Sequence, residues 1–425
     1  MRDPHLKITL LTYGSQGDVA PFAALGQGLV QAGHQVTLAG PERFNFLVNK
    51  DLINFRAFPG NPHQMVEDLV DRAGSSWWRM VRSMSSFVLP LGLEVSQIAR
   101  NACQDADLIV HSFLLTNTGY EIAREKNIPD ISAQTFPVFT STSDFPAPAA
   151  PDLPLGGFYR KLTHDLVTQT FWQGSRIIYN SLKKNHQELP PLTDWPFNPR
   201  NHWQTPILYA FSPQVIPRPA DWREGVHITG YWFSDHASTW KPDDRLVEFL
   251  EQGSAPIAVV FGSTSTRKLK GIYHKVFEAL KITNQRGIII GQKPEELDSP
   301  EIYWQEGPIP YEWLFKRSTA VIHHGGAGTT GKALRAGLPS IILPFTSDQP
   351  FWGRQIYKLG AGPKPIPPKR ISTVKLEVAI DSAINDHEMK KRVMKIGENI
   401  HREDGVAQAI RIMDNLVNKE ISCIK

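Results

Sequence analysis

Apolar and polar positions in the first half of the chain alternate between strand-like and helix-like stretches. Residues 7–12 form a short apolar run without helical spacing, which predicts a buried strand. Residues 20–32 place their apolar side chains at helical spacing and stop at Gly33, a residue typical of the position just past a helix end. Further apolar runs predict strands at Val36–Ala39, Ile53–Ala57, Leu108–His111 and Asp130–Phe136. This repetition predicts a parallel sheet with helices on both faces.

The same alternation returns in the second half of the chain. Residues 256–261 predict another buried strand, and candidate strands follow at 287–290, 319–323 and 339–343. The last 50 or so residues are polar and helical in spacing. Between the halves, the stretch 231–244 mixes aromatic and polar residues and contains Pro242, as a linker often does. We therefore predict two doubly wound α/β domains at residues 1–232 and 245–400, a linker at 233–244 and a helical end at 401–425.

Composition narrows the class of protein. The 425 residues are 41% hydrophobic and 21% charged, which fits a soluble globular protein of two domains. The first apolar run is too short for a signal peptide, and the two cysteines, Cys103 and Cys423, predict a reducing, cytoplasmic setting rather than a disulfide scaffold. A net charge of +4 without a long basic run argues against a nucleic-acid partner.

A glycine-rich segment separates a predicted strand at 320–322 from a predicted helix that begins at Thr329. Small residues there let backbone N–H groups approach a ligand, and the helix N-terminus adds about half a positive charge, which suits a phosphate. His323 adds a hydrogen-bond donor. A plain turn is the simplest alternative. A dinucleotide site is another, because residues 326–331 match G-x-G-x-x-G and Asp348 follows at the expected distance, although three residues separate the strand from these glycines.

The run IHHGGAGTTGKALRAGLPSIILPFTSDQPFWG at 322–353 resembles the C-terminal signature of family 1 glycosyltransferases. The similarity is greatest to sterol glucosyltransferases and to the bacterial enzymes that glycosylate glycopeptide antibiotics and macrolides. GSQGDVAPFAALGQGLVQAGHQVTLAG at 14–40 and ITGYWF at 228–233 are similar to other motifs of that branch. The resemblance implies the GT-B fold: two facing Rossmann-like domains with a cleft between them, and a last helix, here 401–425, that returns to the first domain.

The resemblance also implies a site for a nucleotide sugar. Its diphosphate would lie on His323 and on the backbone of the following turn, its sugar on Asp348 and Gln349, and its base near Ile309 and Pro310. The donor-binding residues implied are Gly14, Ser15, Ser263, Thr264, Ile309, Pro310, His323, Gly325, Gly326, Ala327, Gly328, Thr329, Asp348 and Gln349. For Asp348, a helix N-cap is the alternative. Plant relatives hold the ribose with a glutamate at the position of Gly331, so this chain departs from their pattern.

Asp18 is the catalytic candidate, because the resemblance places a general base at this aspartate. By sequence alone, a helix cap is the favoured interpretation of Asp18. His111 is a candidate helper, although a histidine at a strand end is more often part of the core. Asp105-Ala106-Asp107 matches the D-x-D pattern of metal-dependent enzymes, but its place before a strand predicts a solvated turn. We expect no metal and no cofactor besides the sugar donor.

Acceptor binding is expected in the first domain. The apolar segment around Trp77, Trp78 and Phe87 predicts an acceptor pocket, a peripheral membrane contact or a buried helix pair, and His111 and Phe136 are further acceptor candidates. The predicted reaction is inverting transfer of a hexose, from UDP-glucose in the simplest case, to a sterol, triterpenoid or polyketide aglycone. A nucleotide-sugar epimerase, an NAD-dependent oxidoreductase and a non-catalytic binding protein are the alternatives. No oligomeric state is predicted.

Overall fold

The computed structural model describes residues 5–60, 89–185, 192, 194–198, 204–234, 240–262, 266–346 and 348–424. The chain divides into two compact units, each with contributions from segments that are distant in the sequence. Unit 1 consists of Met1–Phe211, Arg218–Ser234 and Asp404–Lys425, and unit 2 consists of Ser212–Pro217 and Asp235–Glu403. Each unit contains one parallel sheet.

Strands and helices alternate through both units, as the sequence predicts. The strands are β1 (Lys7–Leu11), β2 (Gln35–Pro41), β3 (Asn54–Phe58), β4 (Leu108–His111), β5 (Asp130–Gln134), β6 (Ile207–Tyr209), β7 (Val226–Ile228), β8 (Ile257–Val260), β9 (Gly287–Ile290), β10 (Ile302–Gln305), β11 (Ala320–His323) and β12 (Ser340–Ile342). The α-helices are α1 (Gln16–Gln31), α2 (Leu89–Ala102), α3 (Thr116–Lys126), α4 (Gly156–Asn185), α5 (Asp244–Glu251), α6 (Thr266–Ile282), α7 (Tyr311–Phe315), α8 (Ala327–Arg335), α9 (Gln349–Lys358), α10 (Thr373–Asn385), α11 (His387–His401) and α12 (Gly405–Ile424).

The sheet of unit 1 has the order β3-β2-β1-β4-β5-β6-β7. The order of the strands reverses between β1 and β4, where Leu11 lies beside His111. Parallel α/β sheets bind ligands at the carboxyl ends of the strands at such a point. α1 covers one face and packs closely on α12, because a Cβ at Gly28 would lie 2.3 Å from Val406 Cγ1. β6 and β7, of three residues each, were not predicted.

The sheet of unit 2 has the order β10-β9-β8-β11-β12, and its reversal lies between β8 and β11. Apolar side chains fill both faces, since β8 is wholly buried and reads Ile-Ala-Val-Val. That continuous apolar run is typical of a parallel strand covered on both sides. The prediction of two doubly wound α/β units is therefore confirmed, with β10 as the strand that the sequence pattern did not show.

One irregular segment precedes α4, and two predicted segments lie wholly or partly outside the described residues. Residues 137–155 lack regular structure, and α4 begins directly after them at Gly156. The predicted acceptor segment around Trp77, Trp78 and Phe87 lies outside the described residues, as do residues 235–239 of the predicted linker. None of the described helices combines the length and apolar character needed to cross a bilayer.

Candidate donor and catalytic sites

His323 is the last residue of β11 and is wholly buried. Its Nδ1 accepts a hydrogen bond of 3.1 Å from the backbone N–H of Gly325. A neutral imidazole that accepts at Nδ1 carries its proton on Nε2. The Nε2 atom is buried and has no hydrogen-bond partner among the described residues. His323 therefore holds an N–H donor ready for a ligand.

Burial, and secondarily the neighbouring His324, lowers the pKa of His323 to about 3. Desolvation disfavours the charged imidazolium, so the ring stays neutral at physiological pH. The ring thus acts as a hydrogen-bond donor of fixed tautomer rather than as a positive charge. Any positive potential near His323 has to come from other groups.

The helix α8 provides that potential at its N-terminus. Its N-cap is Gly326, which has no side chain to cap the first N–H groups. A Cβ at Gly326 would lie 2.4 Å from His324 Nε2, and a Cβ at Gly325 would lie 2.7 Å from Ile342 Cγ2. Gly325 also has φ 86°, a backbone conformation that favours glycine. The uncapped helix end and the small residues before it form a cradle suited to an anion.

The loops after β8 and β12 adjoin this cradle within unit 2. Gly262, just after β8, packs so closely that its Cβ would lie 3.1 Å from His324 Cε1. A Cβ at Gly325 would lie 3.1 Å from the carbonyl oxygen of Gln349, which begins α9. Three strand ends of unit 2 therefore meet around the His323 turn. Ser263 and Thr264 lie outside the described residues.

Asp348 and Gln349 start α9, beside the cradle. Asp348 occupies the N-cap position, but its side chain does not cap: Oδ2 accepts a hydrogen bond of 2.8 Å from the indole N–H of Trp352. The alternative interpretation of Asp348 as a helix N-cap is therefore right for its position, but its side chain makes no capping hydrogen bond. Gln349 Oε1 accepts from the backbone N–H groups of Phe345 and Thr346 at 2.7 and 3.1 Å. These bonds leave the amide nitrogen as the end of Gln349 that can donate to a ligand.

Ile309 and Pro310 follow β10 at the same carboxyl edge of the sheet of unit 2. Ile309 is buried within an apolar cluster, and Pro310 is the N-cap residue of the short helix α7. Ile309 and Pro310 lie at the same edge of the sheet as the His323 cradle, but the strand before them, β10, is three strands from β11 in the sheet order. Their role in binding a base stays a prediction.

The loop after β1 holds Asp18 by a capping box. Ser15 is the N-cap of α1, and Asp18 Oδ2 accepts from the backbone N–H and the hydroxyl of Ser15 at 2.7 and 2.8 Å. The Ser15 hydroxyl oxygen also accepts from the Gly17 N–H at 3.2 Å. A Cβ at Gly14 would lie 2.3 Å from Asp18 Oδ2, so only glycine fits there. The capping interpretation of Asp18 is confirmed for this oxygen, and it fixes the orientation of the half-buried carboxylate.

His111 is wholly buried at the end of β4, and its Nε2 lies 2.8 Å from Asp130 Oδ2. Thr205 donates to the same carboxylate at 2.9 Å. A Cβ at Gly119 would lie 2.6 Å from the His111 ring, so α3 closes over the histidine. This placement is that of a core histidine, and a helper or acceptor role for His111 stays only a prediction.

Asp105 and Asp107 lie in an exposed turn before β4, as predicted, and Asp107 accepts a hydrogen bond from the Lys7 N–H at 2.8 Å. Within the described residues, no group of three or more histidine, cysteine, aspartate or glutamate side chains could hold a metal ion. The D-x-D pattern is thus part of a turn that ties β4 to β1.

Phe136, an acceptor candidate, belongs to an aromatic cluster that the sequence pattern does not predict. The rings of Phe113 and Phe136 lie 5.4 Å apart, and further rings extend the group on the side of α4. We call it the aromatic cluster; its members are Phe113, Phe136, Phe139, Phe171, Trp172, Trp195 and Phe197. Aromatic residues are frequent at 113–139 and 171–197, but only the fold brings these segments together.

Two family models match the chain. The model described as "Glycosyltransferase family 28 N-terminal domain" matches residues 8–116, and the model described as "Erythromycin biosynthesis protein CIII-like, C-terminal domain" matches residues 292–411. The first match contains the Asp18 loop, and the second contains the His323 cradle with Asp348 and Gln349. The Asp18 loop therefore lies in a segment that a glycosyltransferase model matches, and the His323 cradle lies in a segment that a macrolide-biosynthesis model matches.

Curated relatives match nearly the whole chain. O-mycaminosyltylonolide 6-deoxyallosyltransferase of Streptomyces fradiae is 33% identical over 420 residues, which are 96% of this chain and 97% of that protein. A sterol 3-beta-glucosyltransferase of Arabidopsis thaliana is 32% identical over 96% of this chain and 65% of its own length. The crystal structure of the glycotransferase of kitacinnamycin has a TM-score of 0.71 at 16% identity, covering 96% of this chain and 98% of that one. That likeness confirms the predicted GT-B fold class. The chain belongs to the family 1 glycosyltransferases of GT-B fold, in the branch of macrolide and sterol glycosyltransferases.

Proposed function

We propose that this enzyme transfers a hexose from a nucleoside diphosphate sugar, UDP-glucose in the simplest case, to a hydroxyl of a lipophilic acceptor. A sterol, triterpenoid or polyketide aglycone is the proposed acceptor class, and the reaction inverts the anomeric carbon. The names of the relatives support this class, because one is a sterol 3-beta-glucosyltransferase and another acts on O-mycaminosyltylonolide. Because the chain belongs to a glycosyltransferase family, we no longer consider the oxidoreductase, epimerase and non-catalytic alternatives.

The observation that carries the proposal is the buried Nε2–H of His323, which has no hydrogen-bond partner within the described part of the chain, beside the N-terminus of α8, which no side chain caps. A neutral donor and the positive end of a helix suit the diphosphate of the sugar donor. Both interactions strengthen as the diphosphate gains charge on leaving, so they lower the barrier to transfer. No metal ion is needed to neutralise the leaving group in this scheme.

Gln349 and Asp348 are proposed to bind the sugar. The Gln349 carbonyl oxygen is already held by two backbone N–H groups, so the amide nitrogen is oriented to donate to a sugar hydroxyl. The indole of Trp352 orients the carboxylate of Asp348, which accepts from hydroxyl groups. The base is proposed to lie at Ile309 and Pro310, and Gly331 offers no carboxylate to the ribose.

Asp18 is the proposed general base. Its carboxylate takes the proton from the acceptor hydroxyl as that oxygen bonds to the anomeric carbon, and the bond from the anomeric carbon to the diphosphate oxygen breaks. The two bonds of Ser15 to Oδ2 hold the carboxylate in place. Gly14 and Ser15 are proposed to lie near the donor phosphates. Turnover by Asp18→Asn should fall by roughly a factor of 10²–10⁴, because the amide cannot take the proton.

The test is a panel of nucleotide sugars scored by thermal stabilisation, followed by mass spectrometry of products from a panel of alcohols. Two variants separate the functions of His323. His323→Asn keeps an oxygen near Nδ1 for the Gly325 N–H but removes the Nε2–H donor, whereas His323→Gln keeps a donor near Nε2. Loss of one charge-assisted bond predicts diphosphate binding weakened about tenfold or more in the Asn variant and less in the Gln variant. Equal binding by both variants would contradict the proposed role, as would full stabilisation by NAD alone.

A further inference from the structure

The first turns of α4 carry an apolar face that is open to solvent. Phe158, Leu162 and Leu166 follow one another at intervals of four residues, which places them on one side of the helix. Phe158 is 84% exposed, Leu162 is 43% exposed and Leu166 is 59% exposed. Leu155, directly before the helix, is 62% exposed. We call these four residues the α4 stripe, and it interrupts the polar surface that a helix normally presents to water.

Contacts on the other side of α4 hold the stripe in place. The hydroxyl of Thr163 accepts a hydrogen bond of 2.9 Å from the backbone N–H of Ala147. The ring nitrogen Nε2 of His164 lies 3.0 Å from the carbonyl oxygen of Phe145. Both side chains are buried, so Thr163 and His164 anchor the helix on the preceding loop. The α4 stripe is therefore a formed surface that faces away from the body of unit 1.

The exposed area of the α4 stripe is comparable with the apolar centre of a protein interface. At about 200 Å² for a large apolar residue, its four members expose roughly 500 Å². Monomeric proteins seldom expose a contiguous apolar patch of more than a few hundred Å². A stable interface buries about 800 Å² on each partner, with a polar rim around the apolar centre. The stripe and the polar residues beside it together supply an area of that order.

The charges beside the α4 stripe favour a protein partner over a membrane surface. Lys161 and Asp165 are exposed and lie one turn apart along its border. Lys161 also forms an ion pair of 3.1 Å with Asp221, and its side chain stays 48% exposed. A helix that lies on an anionic membrane has a border rich in lysine and arginine. One base and one acid instead suit a partner that presents an acid and a base in the reverse order.

A second copy of α4 presents that reverse order when the two helices are antiparallel. Leu162 is midway between Phe158 and Leu166 in the sequence, and the midpoint of Lys161 and Asp165 is the next residue. A single two-fold axis close to Leu162 therefore pairs apolar residues with apolar residues and the base with the acid. Two-fold interfaces use one patch twice, so the patch has to be complementary to itself. The α4 stripe meets this requirement.

We propose that the α4 stripe is the interface of a homodimer, in which α4 of each copy packs antiparallel on α4 of the other. Phe158 contacts Leu166 of the partner subunit, Leu162 packs on the two-fold axis, and Lys161 pairs with Asp165 of the partner subunit. This inference is independent of the proposed transferase function, because it uses none of the residues assigned to the sugar donor or to the general base.

The test is the molar mass of the protein, measured by sedimentation at concentrations from about 1 to 100 µM. Leu162→Glu brings two like charges together on the axis. Its matched control is Val378→Glu, which places a glutamate on α10 of unit 2 at a valine that is 67% exposed. We expect wild type and Val378→Glu to form the same dimer, and Leu162→Glu to raise the dissociation constant at least 100-fold. A wild type that stays monomeric over this range, or a Leu162→Glu variant that dimerises as wild type does, would overturn the proposal.

A charge exchange tests the antiparallel arrangement. Asp165→Lys sets lysines against each other across the interface and should weaken the dimer about tenfold, and adding Lys161→Glu in the same chain should restore most of the affinity. These positions are exposed, so the variants should fold, which circular dichroism and the melting temperature check. A double variant that dimerises no more tightly than Asp165→Lys would contradict the arrangement. If the protein stays monomeric and floats with vesicles of phosphatidylcholine and phosphatidylserine, the α4 stripe is a membrane contact and the dimer proposal fails.

Discussion

The burial of His323 predicts a pH-dependent stability of unit 2. In the folded protein the pKa of His323 is lowered to about 3, whereas in the unfolded chain it should lie at the ordinary histidine value of 6.5. Between about pH 3 and 6.5, His323 is therefore protonated in the unfolded chain but neutral in the folded protein. The contribution of neutral His323 to the free energy of unfolding is fully present above pH 6.5 and is lost as the pH falls through that window. The perturbation that isolates this effect is His323→Gln, which does not titrate.

The magnitude follows from the distance between the pH and the pKa of the unfolded chain. At pH 5 that distance is about 1.5 units, and each unit is worth about 1.36 kcal/mol, so the wild type should lose about 2 kcal/mol relative to pH 7.5. For a unit of this size, such a loss lowers the melting temperature by roughly 4–8 °C. The variant should lack this portion of the pH dependence.

The assay is calorimetric or denaturant unfolding of both proteins at pH 7.5, 6.0 and 5.0. His164 and His227 also have pKa values lowered by burial, but they titrate in both proteins, so the difference between wild type and variant cancels their contribution. The variant should be the less stable protein at pH 7.5 and should gain on the wild type as the pH falls. Curves that stay parallel to within about 0.5 kcal/mol would refute the conclusion that burial holds His323 neutral.

Three further substitutions test the site loops and one buried acid. Gly14→Ala would place a Cβ 2.3 Å from Asp18 Oδ2, so we expect at least a tenfold loss of turnover and roughly 1–3 kcal/mol of stability in denaturant titration. Gly325→Ala would place a Cβ 2.7 Å from Ile342 Cγ2, so UDP binding in calorimetry should weaken about tenfold. Burial raises the pKa of Glu121 to about 7, so the free energy of unfolding falls as the pH rises from 4.5 to about 7. Glu121→Gln should therefore raise the free energy of unfolding by about 1–2 kcal/mol at pH 8 and change it little at pH 4.

Matched glycines provide the controls for the first two substitutions. A Cβ at Gly17 would meet Ser15 Oγ at an ordinary 3.4 Å, so Gly17→Ala should keep turnover while Gly14→Ala loses it. Gly271 lies in α6, and no described atom would lie within 4 Å of a Cβ there, so alanine should add about 0.5–1 kcal/mol through helix propensity. Wild-type turnover in Gly14→Ala, undiminished UDP affinity in Gly325→Ala, or a Glu121→Gln variant no more stable than wild type at pH 8 would contradict the respective argument.

The order of strands and helices was readable from the chain where apolar runs were long enough to show a period. Residues 7–12 and 256–261 are continuous apolar runs, and they became the buried strands β1 and β8. The strands that were missed have three or four residues, and β10 reads Ile-Tyr-Trp-Gln with two half-buried side chains. Such short segments are strands only because a neighbouring strand pairs with them, which no local pattern can show.

The candidate site divides in the same way. The sequence alone placed Asp18 and the His323 turn after strands, and parallel strands gather their carboxyl ends at one edge of a sheet, so the position of each loop followed from the pattern. Tertiary structure alone decided how the polar atoms of the site are held. The Gly325 N–H selects the tautomer of His323, and Ser15 occupies one oxygen of Asp18. The tautomer of His323 and the orientation of Asp18 depend on burial and on hydrogen bonds to nearby backbone in the folded loops. The aromatic cluster depends on packing between segments that are far apart in the chain.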